Sequence, residues 1–424
     1  MRRTPTKSSS PASVPPSEPA VALAQYPPGR HPVHGKPFPF HQFILKIASR
    51  CNLKCNYCYM YEMADDSWRG QPLIMSAETI SVTARRIADH VRDHRLSDIQ
   101  VVLHGGEPLL TGPGYIDAAA AELRDVIDAN VDLRVQTNGT LMSDSMLDVL
   151  IRHDIHIGVS LDGDQRANDE HRRYASGRSS HDRVARSLHK IRARAPHLLA
   201  GLLCTIDLRN DPVGTYQALQ EFQPPLIDFL LPHGNWTNPP PGRRPSGTDA
   251  PYGRWLAAAF DHWYSLSPPG GRVRMFSEII HAMLGGQAAV ETLGLAPVRL
   301  IVVDADGTLE QVDTLRSAYA GAAGTGLSVY THDLDTATRH PAIMARQRGR
   351  DGLSETCKAC ALHPVCGGGL YVHRYKVGSG FMNPSVYCPD LAFLIRHIHR
   401  RVSQDVGSMS RPSRGALGTA RGAP

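Results

Sequence analysis

The chain has 424 residues, 42% of them hydrophobic, with 46 basic against 40 acidic side chains and a formal net charge of +6. That length accommodates one large α/β domain and a smaller one, and no apolar run approaches the roughly 18–20 residues a membrane helix requires. The charge excess is mild and sits partly in the ends, so neither nucleic acid nor a membrane is expected as a partner.

Residues 1–38 read as a disordered Pro/Ser-rich tail. Arg2, Arg3 and Lys7 are followed by prolines and serines, not by the apolar stretch of a signal peptide, and a cytoplasmic location is expected. A core over 39–235 alternates strands and helices. Short apolar runs predict strands at 42–47, 99–104, 132–136, 156–161, 199–205 and 226–231. Helical patterns fall at 76–95, 116–130, 143–152, 182–195 and 212–222, the first capped by Ser76. Six such units fit an incomplete (β/α)6 barrel, and an open doubly wound sheet fits the same periodicity. Residues 236–297 read as a loop and two bridging helices, 252–266 and 276–284. Beyond them, 298–402 holds a hairpin turning at Asp304–Gly307, a second group of cysteines and a closing helix over 387–402. The end, 403–424, reads as another tail.

Of eight cysteines, seven fall in two groups. Local groups in a large chain point to metal ligation rather than to a disulfide framework. Cys204 stands alone in an apolar strand and reads as a buried thiol. Cys51, Cys55 and Cys58 directly follow the first strand. Three thiolates can hold three irons of a four-iron cluster and leave the fourth iron open. Zinc takes four tetrahedral ligands, usually as paired C-x2-C units, so this triplet is a poor zinc motif. Cys357, Cys360, Cys366 and Cys388 could hold a cluster, or zinc in a non-catalytic binding protein.

The C-x3-C-x2-C triplet with Tyr57 before its last cysteine resembles the signature of radical S-adenosylmethionine (SAM) enzymes. The resemblance implies a [4Fe-4S] cluster on Cys51, Cys55 and Cys58 whose open iron binds SAM. One electron then splits the sulfonium and yields a 5′-deoxyadenosyl radical. His104-Gly105-Gly106-Glu107-Pro108 resembles the family's GGEP segment, and Thr137-Asn138-Gly139 and Ser160-Leu161-Asp162-Gly163 its ribose and carboxylate contacts. Tyr57, Gly105, Gly106, Glu107, Asn138, Ser160, Asp162 and Arg172 are the implied SAM-site residues, with Arg173 competing for the position of Arg172.

The second group resembles the SPASM auxiliary-cluster domain of peptide- and protein-modifying radical SAM enzymes. Its full pattern has seven cysteines. Here Leu370 stands at one missing position, and only Val302, Val303 and Val312 lie near the others. One auxiliary [4Fe-4S] cluster on Cys357, Cys360, Cys366 and Cys388 is therefore expected, not two. Asp313 follows Val312 where such enzymes place an acidic base, although a surface-turn aspartate reads the same way. Stretches such as Cys58–Glu62, Phe229–Gly234 and Cys366–Tyr371 resemble the FxsB-type maturases, which build cyclophanes in ribosomally made precursor peptides. That resemblance implies β-hydrogen abstraction, addition of the carbon radical to an aromatic ring, and an auxiliary cluster that accepts an electron. It also implies flavodoxin or ferredoxin as electron donor. Thioether formation or sulfatase maturation through formylglycine are the alternatives within the same chemistry.

Overall fold

The computed structural model describes residues 37–409 apart from 245–246, 267–269 and 289. The predicted N-terminal tail up to residue 36, and the C-terminal one from 410, lie outside the described residues.

One sheet of ten strands organises the molecule: β1 (Gln42–Ala48), β2 (Asp98–Gly105), β3 (Asn130–Thr137), β4 (His156–Ser160), β5 (Leu199–Thr205), β6 (Leu226–Leu230), β7 (Arg272–Val273), β8 (Leu300–Val303), β9 (Thr308–Glu310) and β10 (Gly324–Ser328). Their order is β10-β9-β8-β1-β2-β3-β4-β5-β6-β7. From β8 through β7 every neighbouring pair is parallel. A doubly wound sheet reverses its strand order midway. This one advances strand by strand, so the periodicity resolves as the partial barrel.

Six helices connect the barrel strands: α1 (Ala77–His94), α2 (Pro113–Val126), α3 (Asp144–Arg152), α4 (Gln165–His171), α5 (His181–Arg194) and α6 (Pro212–Gln220). Ser76 caps α1 by accepting from the Thr79 amide, as predicted. Helix α2 begins three residues before the predicted 116 because Pro113 occupies its first turn, where a fixed φ and a missing N–H cost nothing. Helix α4 escaped prediction: seven residues carry too few apolar positions to show a stripe, and Asp164 caps it through the Ala167 amide.

The core face of the strands is apolar, while the other face mixes Val102, Leu203, Leu226 and Leu230 with polar side chains. Val101, Leu103, Leu133, Val135, Ile157 and Val159 are buried in the main core. Among the alternate residues is a polar ladder, in which Gln100 and Arg134 donate to Asp132 and Gln136 donates to Ser160. The predicted hairpin is present, its turn closed by the Gly307 amide on the Asp304 carbonyl. Its first strand, β8, adds in parallel to the free edge of β1, pairing Leu300 with Gln42. The bridging helices are α7 (Pro251–Ser265) and α8 (Arg274–Met283), and the closing helix α9 spans Cys388–Met409. Helix α9 thus continues into residues expected to be tail. It packs on α7 at Gly253, whose amide bonds Asp390 and where a Cβ would strike the Asp390 backbone. Among the described residues no helix is long and apolar enough to cross a membrane.

Candidate active site

Cys51, Cys55 and Cys58 lie on the loop leaving β1, at the carboxyl end of the parallel strands, where α/β folds carry their chemistry. The loop is fixed by backbone bonds from Cys58 to Cys55 and from Tyr61 and Glu62 to Cys58. The end of β2 presses against it closely enough that side chains are excluded. A Cβ at Gly105 would collide with the Ala48 carbonyl, and one at Gly106 with Tyr61 and the Arg50 carbonyl. Tyr61 stands edge-on to Trp68, which Arg50 and Arg69 flank at 5.1 and 4.7 Å, so Trp68 is a packing residue of this loop.

Burial pushes the Cys51 thiol up to about 12 and that of Cys58 to about 11, and raises Cys55 as well. Thiolates there require a compensating positive centre. The Leu53 amide and the Asn138 side chain direct N–H groups at the Cys51 sulfur, at 3.4 and 3.7 Å. N–H donors to sulfur suit a cluster ligand.

The predicted SAM-site residues gather around this loop. Glu107 is fully buried and raised by burial. It accepts from the Leu109 amide, the Thr137 hydroxyl and the Asn138 amide, tying the ends of β2 and β3 together. Asn138 in turn donates to Asn52 within the cysteine loop. The Tyr57 hydroxyl donates to Asp162 at 2.5 Å and accepts from Arg172 at 2.9 Å. Burial works against the Arg172 charge, but Tyr57, Cys55 and Asp162 outweigh it and hold the guanidinium protonated. Its Nε is buried without a partner. Arg173 is spent on the carbonyls of Asp169 and Gly177. Ser160 lies on the polar ladder, accepting from Gln136.

Asp313 is not a surface-turn residue. It is 4% exposed and accepts from the Tyr59 hydroxyl at 3.1 Å, with His104 Nδ1 3.7 Å away. Burial opposes its charge, but His104 and Lys46 beside it and the Tyr59 hydroxyl more than offset that, so the carboxyl sits below its usual range. The carboxylate thus faces the residue after Cys58 and the residue before Gly105. His233 packs on Tyr59 at 4.8 Å and is pushed down to about 4 by burial, leaving a neutral imidazole beside the same group.

A buried ion network that the sequence reading missed holds Asp313 in place. Arg316, with no exposed surface, pairs with Asp304 at 2.6 Å, Glu310 at 2.7 Å and Asp65 at 3.4 Å. Lys46 of β1 pairs with the same Asp304 and Glu310 at 3.1 and 3.5 Å. Asp65 belongs to the segment after the first cysteines, so the network clamps that segment, the hairpin and the Asp313–Ser317 turn together. A lysine inside an otherwise apolar strand was the one available signal.

In the second group, Cys357 lies in a short helix capped by Ser354, and Cys388 opens α9. Cys366 feels Cys357 and Cys388, and Cys388 feels Cys357 and Cys360, so the four sulfurs are neighbours. Burial pushes Cys366 up to about 12, against a hydrogen bond from the Gly368 amide. Gly367, Gly368 and Gly369 all take positive φ, and Arg374 gathers their three carbonyls. Zinc at about 2.3 Å from tetrahedral sulfurs needs them under about 4 Å apart. Among the described residues only His90, His94 and Asp335 bring a trio of ligand atoms within 4.8 Å, so neither cysteine group has single-ion spacing. Where further cysteines are missing, Val302, Val303 and Val312 are buried, and Leu370 packs with Val312 against a small apolar core of Leu315, Tyr371 and Phe381.

The partial parallel barrel carries a three-cysteine loop at the carboxyl end of its first strand. Residues 45–206 match the model of the Radical SAM superfamily, and this part of the chain is a radical SAM domain, whose cofactors are SAM and an iron–sulfur cluster. The chain is 22% identical over 270 residues to a serine-type anaerobic sulfatase-maturating enzyme of Bacteroides thetaiotaomicron, a match covering 60% of this chain and 64% of that one. It is 22% identical over 358 residues to a cysteine-type anaerobic sulfatase-maturating enzyme of Clostridium perfringens, covering 82% and 94%. The structure of anSMEcpe with bound AdoMet and the Cp18Cys peptide superposes with a TM-score of 0.72 at 19% identity, covering 88% of this chain and all of that one.

Proposed function

We propose that the chain is a radical SAM enzyme that modifies a peptide or protein, removing a β-hydrogen from a substrate residue and closing a carbon–carbon crosslink onto an aromatic ring. The observation that carries this reading is Asp313, a buried carboxylate kept ionised next to the first cysteine loop. Cys51, Cys55 and Cys58 would hold the SAM-binding cluster, and Cys357, Cys360, Cys366 and Cys388 one auxiliary cluster. Bound there, cluster and SAM supply a one-electron cleavage that makes a carbon radical. The chain's own residues do the rest. Arg172 offers its free Nε to the SAM carboxylate. Glu107 and Asn138 fix the strand ends around it. When the ring regains aromaticity, Asp313, oriented by Tyr59 and His104, takes the released proton, and an auxiliary cluster held by the second cysteine group would take the released electron. The apolar filling around Val312 and Leu370 supports a single auxiliary cluster.

A second reading, formylglycine formation on a sulfatase, is favoured by the names of the relatives. Co-expression with candidate peptides followed by mass spectrometry separates the two. A crosslink removes two hydrogens and leaves no aldehyde. Formylglycine from cysteine loses sulfur, and from serine it loses two hydrogens but reacts with a hydrazide probe. A hydrazide-reactive product would refute crosslinking.

A further inference from the structure

The second cysteine group has a cation beside it that no carboxylate cancels. Arg374 ends the short turn Tyr371–Arg374 and is half-buried. Its Nε donates to the Gly368 and Gly369 carbonyls at 3.1 and 3.2 Å, and its Nη2 to those of Gly367 and Gly369 at 2.6 and 2.7 Å. The approach is close: a Cβ on Gly368 would stand 3.0 Å from the guanidinium carbon. Among the described residues Arg374 makes no ion pair. By contrast Arg243, beside Cys388, faces Asp390 at 3.4 Å, and Arg346 holds Glu291 at 2.6 Å. Burial works against the Arg374 charge, while Tyr371, Cys357 and Cys366 favour it, and an arginine stays protonated at any working pH. An unpaired buried cation is costly. A negatively charged cluster on these sulfurs is the compensation the site offers. The glycine carbonyls also pass the charge on. In a trans peptide the C=O and the next N–H point to opposite sides. Arg374 holds the Gly367 carbonyl, so the Gly368 amide is aimed the other way, at the Cys366 sulfur to which it donates. The Leu362 amide donates to the Cys360 sulfur at 3.4 Å.

We infer that Arg374 is a positioning residue that raises the reduction potential of the auxiliary cluster and so fits it to accept an electron. The inference rests on the reading of Cys357, Cys360, Cys366 and Cys388 as one cluster site and adds the residue that sets its potential. Four thiolates outweigh the positive charge of an iron–sulfide core, and taking up one electron adds one further negative charge. Net charge and N–H donors to sulfur govern the potential of such a centre. A fixed cation, with the amide it orients, therefore stabilises the reduced form more than the oxidised one. Hydrogen-bonded groups polarise one another, so guanidinium, Gly367 carbonyl, Gly368 amide and Cys366 sulfur act as one chain. In the proposed reaction the electron leaves the ring radical as aromaticity returns, the cluster is reduced by that one electron, and the proton goes to Asp313.

The test uses the full chain carrying Cys51→Ala, Cys55→Ala and Cys58→Ala, reconstituted anaerobically, so that the second cysteine group alone holds iron. Redox titration followed by paramagnetic resonance reads the midpoint, and iron and sulfide analysis reads occupancy. Arg374→Gln removes the charge but can still donate to a glycine carbonyl. Its ratio of reduced to oxidised cluster at a fixed potential is expected to fall about tenfold, a midpoint lower by about 59 mV for a one-electron couple. Arg374→Lys keeps the charge and gives up the fork, and is expected to stay within about threefold of the protein with Arg374 intact. Equal midpoints for arginine and glutamine, or a lysine variant that falls as far as glutamine, overturns the inference. Loss of iron from Arg374→Gln does so too, since the residue would then be a structural clamp of the glycine turn. An iron-free protein with Arg374 intact instead removes the auxiliary-cluster reading, and the inference with it.

Discussion

Arg316→Leu tests the buried clamp most directly. The substitution keeps an apolar stem but withdraws the cation nearest to Asp304 and Glu310, at 2.6 and 2.7 Å, and, among the described residues, the only cation paired with Asp65. Lys46 remains, facing Asp304 and Glu310 with almost no exposed surface of its own. Removing one partner of a buried pair leaves an uncompensated charge and costs about 3–5 kcal/mol. Against a total stability of about 5–15 kcal/mol that is a large share. It corresponds to a fall of roughly 6–20 °C in melting temperature at the entropy of unfolding of domains this large. The pH dependence follows from Glu310, which burial already raises. A carboxyl raised in the folded state weakens folding where it must ionise and ceases to do so as pH falls through its folded value. The deficit of Arg316→Leu relative to wild type is therefore expected to shrink as pH drops from 8 toward 5. Anaerobic thermal scans at fixed rate measure both effects. A loss under about 0.5 kcal/mol, within the range of ordinary surface changes, or a deficit equal at all pH values would refute the clamp.

Three further outcomes are expected. Arg172→Met removes the unpaired Nε and weakens SAM binding by about tenfold or more, as loss of a charge-assisted bond does, whereas Arg173→Lys changes it little; calorimetry with SAM and holoenzyme decides. Asp313→Asn keeps shape but not basicity, so 5′-deoxyadenosine still forms while modified peptide falls by about 100-fold or more, the usual share of a positioned base; chromatography and mass spectrometry read the two products. Cys360→Ala retains SAM cleavage and loses crosslinked product, and retained crosslinking would remove the acceptor role from the second cysteine group.

The six core strands were legible because each is a short apolar run between turn residues, and the cysteines because ligand spacing survives in one dimension. The polar ladder was not. Asp132 and His156, or Gln136 and Ser160, are 24 residues apart, and each alone reads as an outward polar position. Burial of Asp313 was equally hidden, since its neighbours Tyr59 and His104 come from the far end of the chain. Arg172 and Arg173 could not be told apart by sequence because they are adjacent. The end of α4 turns the first inward to Tyr57 and leaves the second on the backbone of its own loop.

Apolar packing would stabilise the Arg316 site at least as well as five charged side chains do, since a buried ion network often loses to hydrocarbon of the same volume. Its presence is therefore a matter of register. Asp313 lies three residues before Arg316, and Asp65 seven after Cys58, so fixing Arg316 on Asp65 and the hairpin fixes the carboxylate against the cysteine loop. Combining Arg316→Met and Lys46→Met with Asp65→Asn, Asp304→Asn and Glu310→Gln removes both cations together with their three anions, leaving no buried charge of the network unpaired. This protein is expected to regain most of the stability lost by Arg316→Leu yet to form less modified peptide, with SAM cleavage intact, because Asp313 is no longer held to its place. Recovery of stability and product together would show that the network serves stability alone.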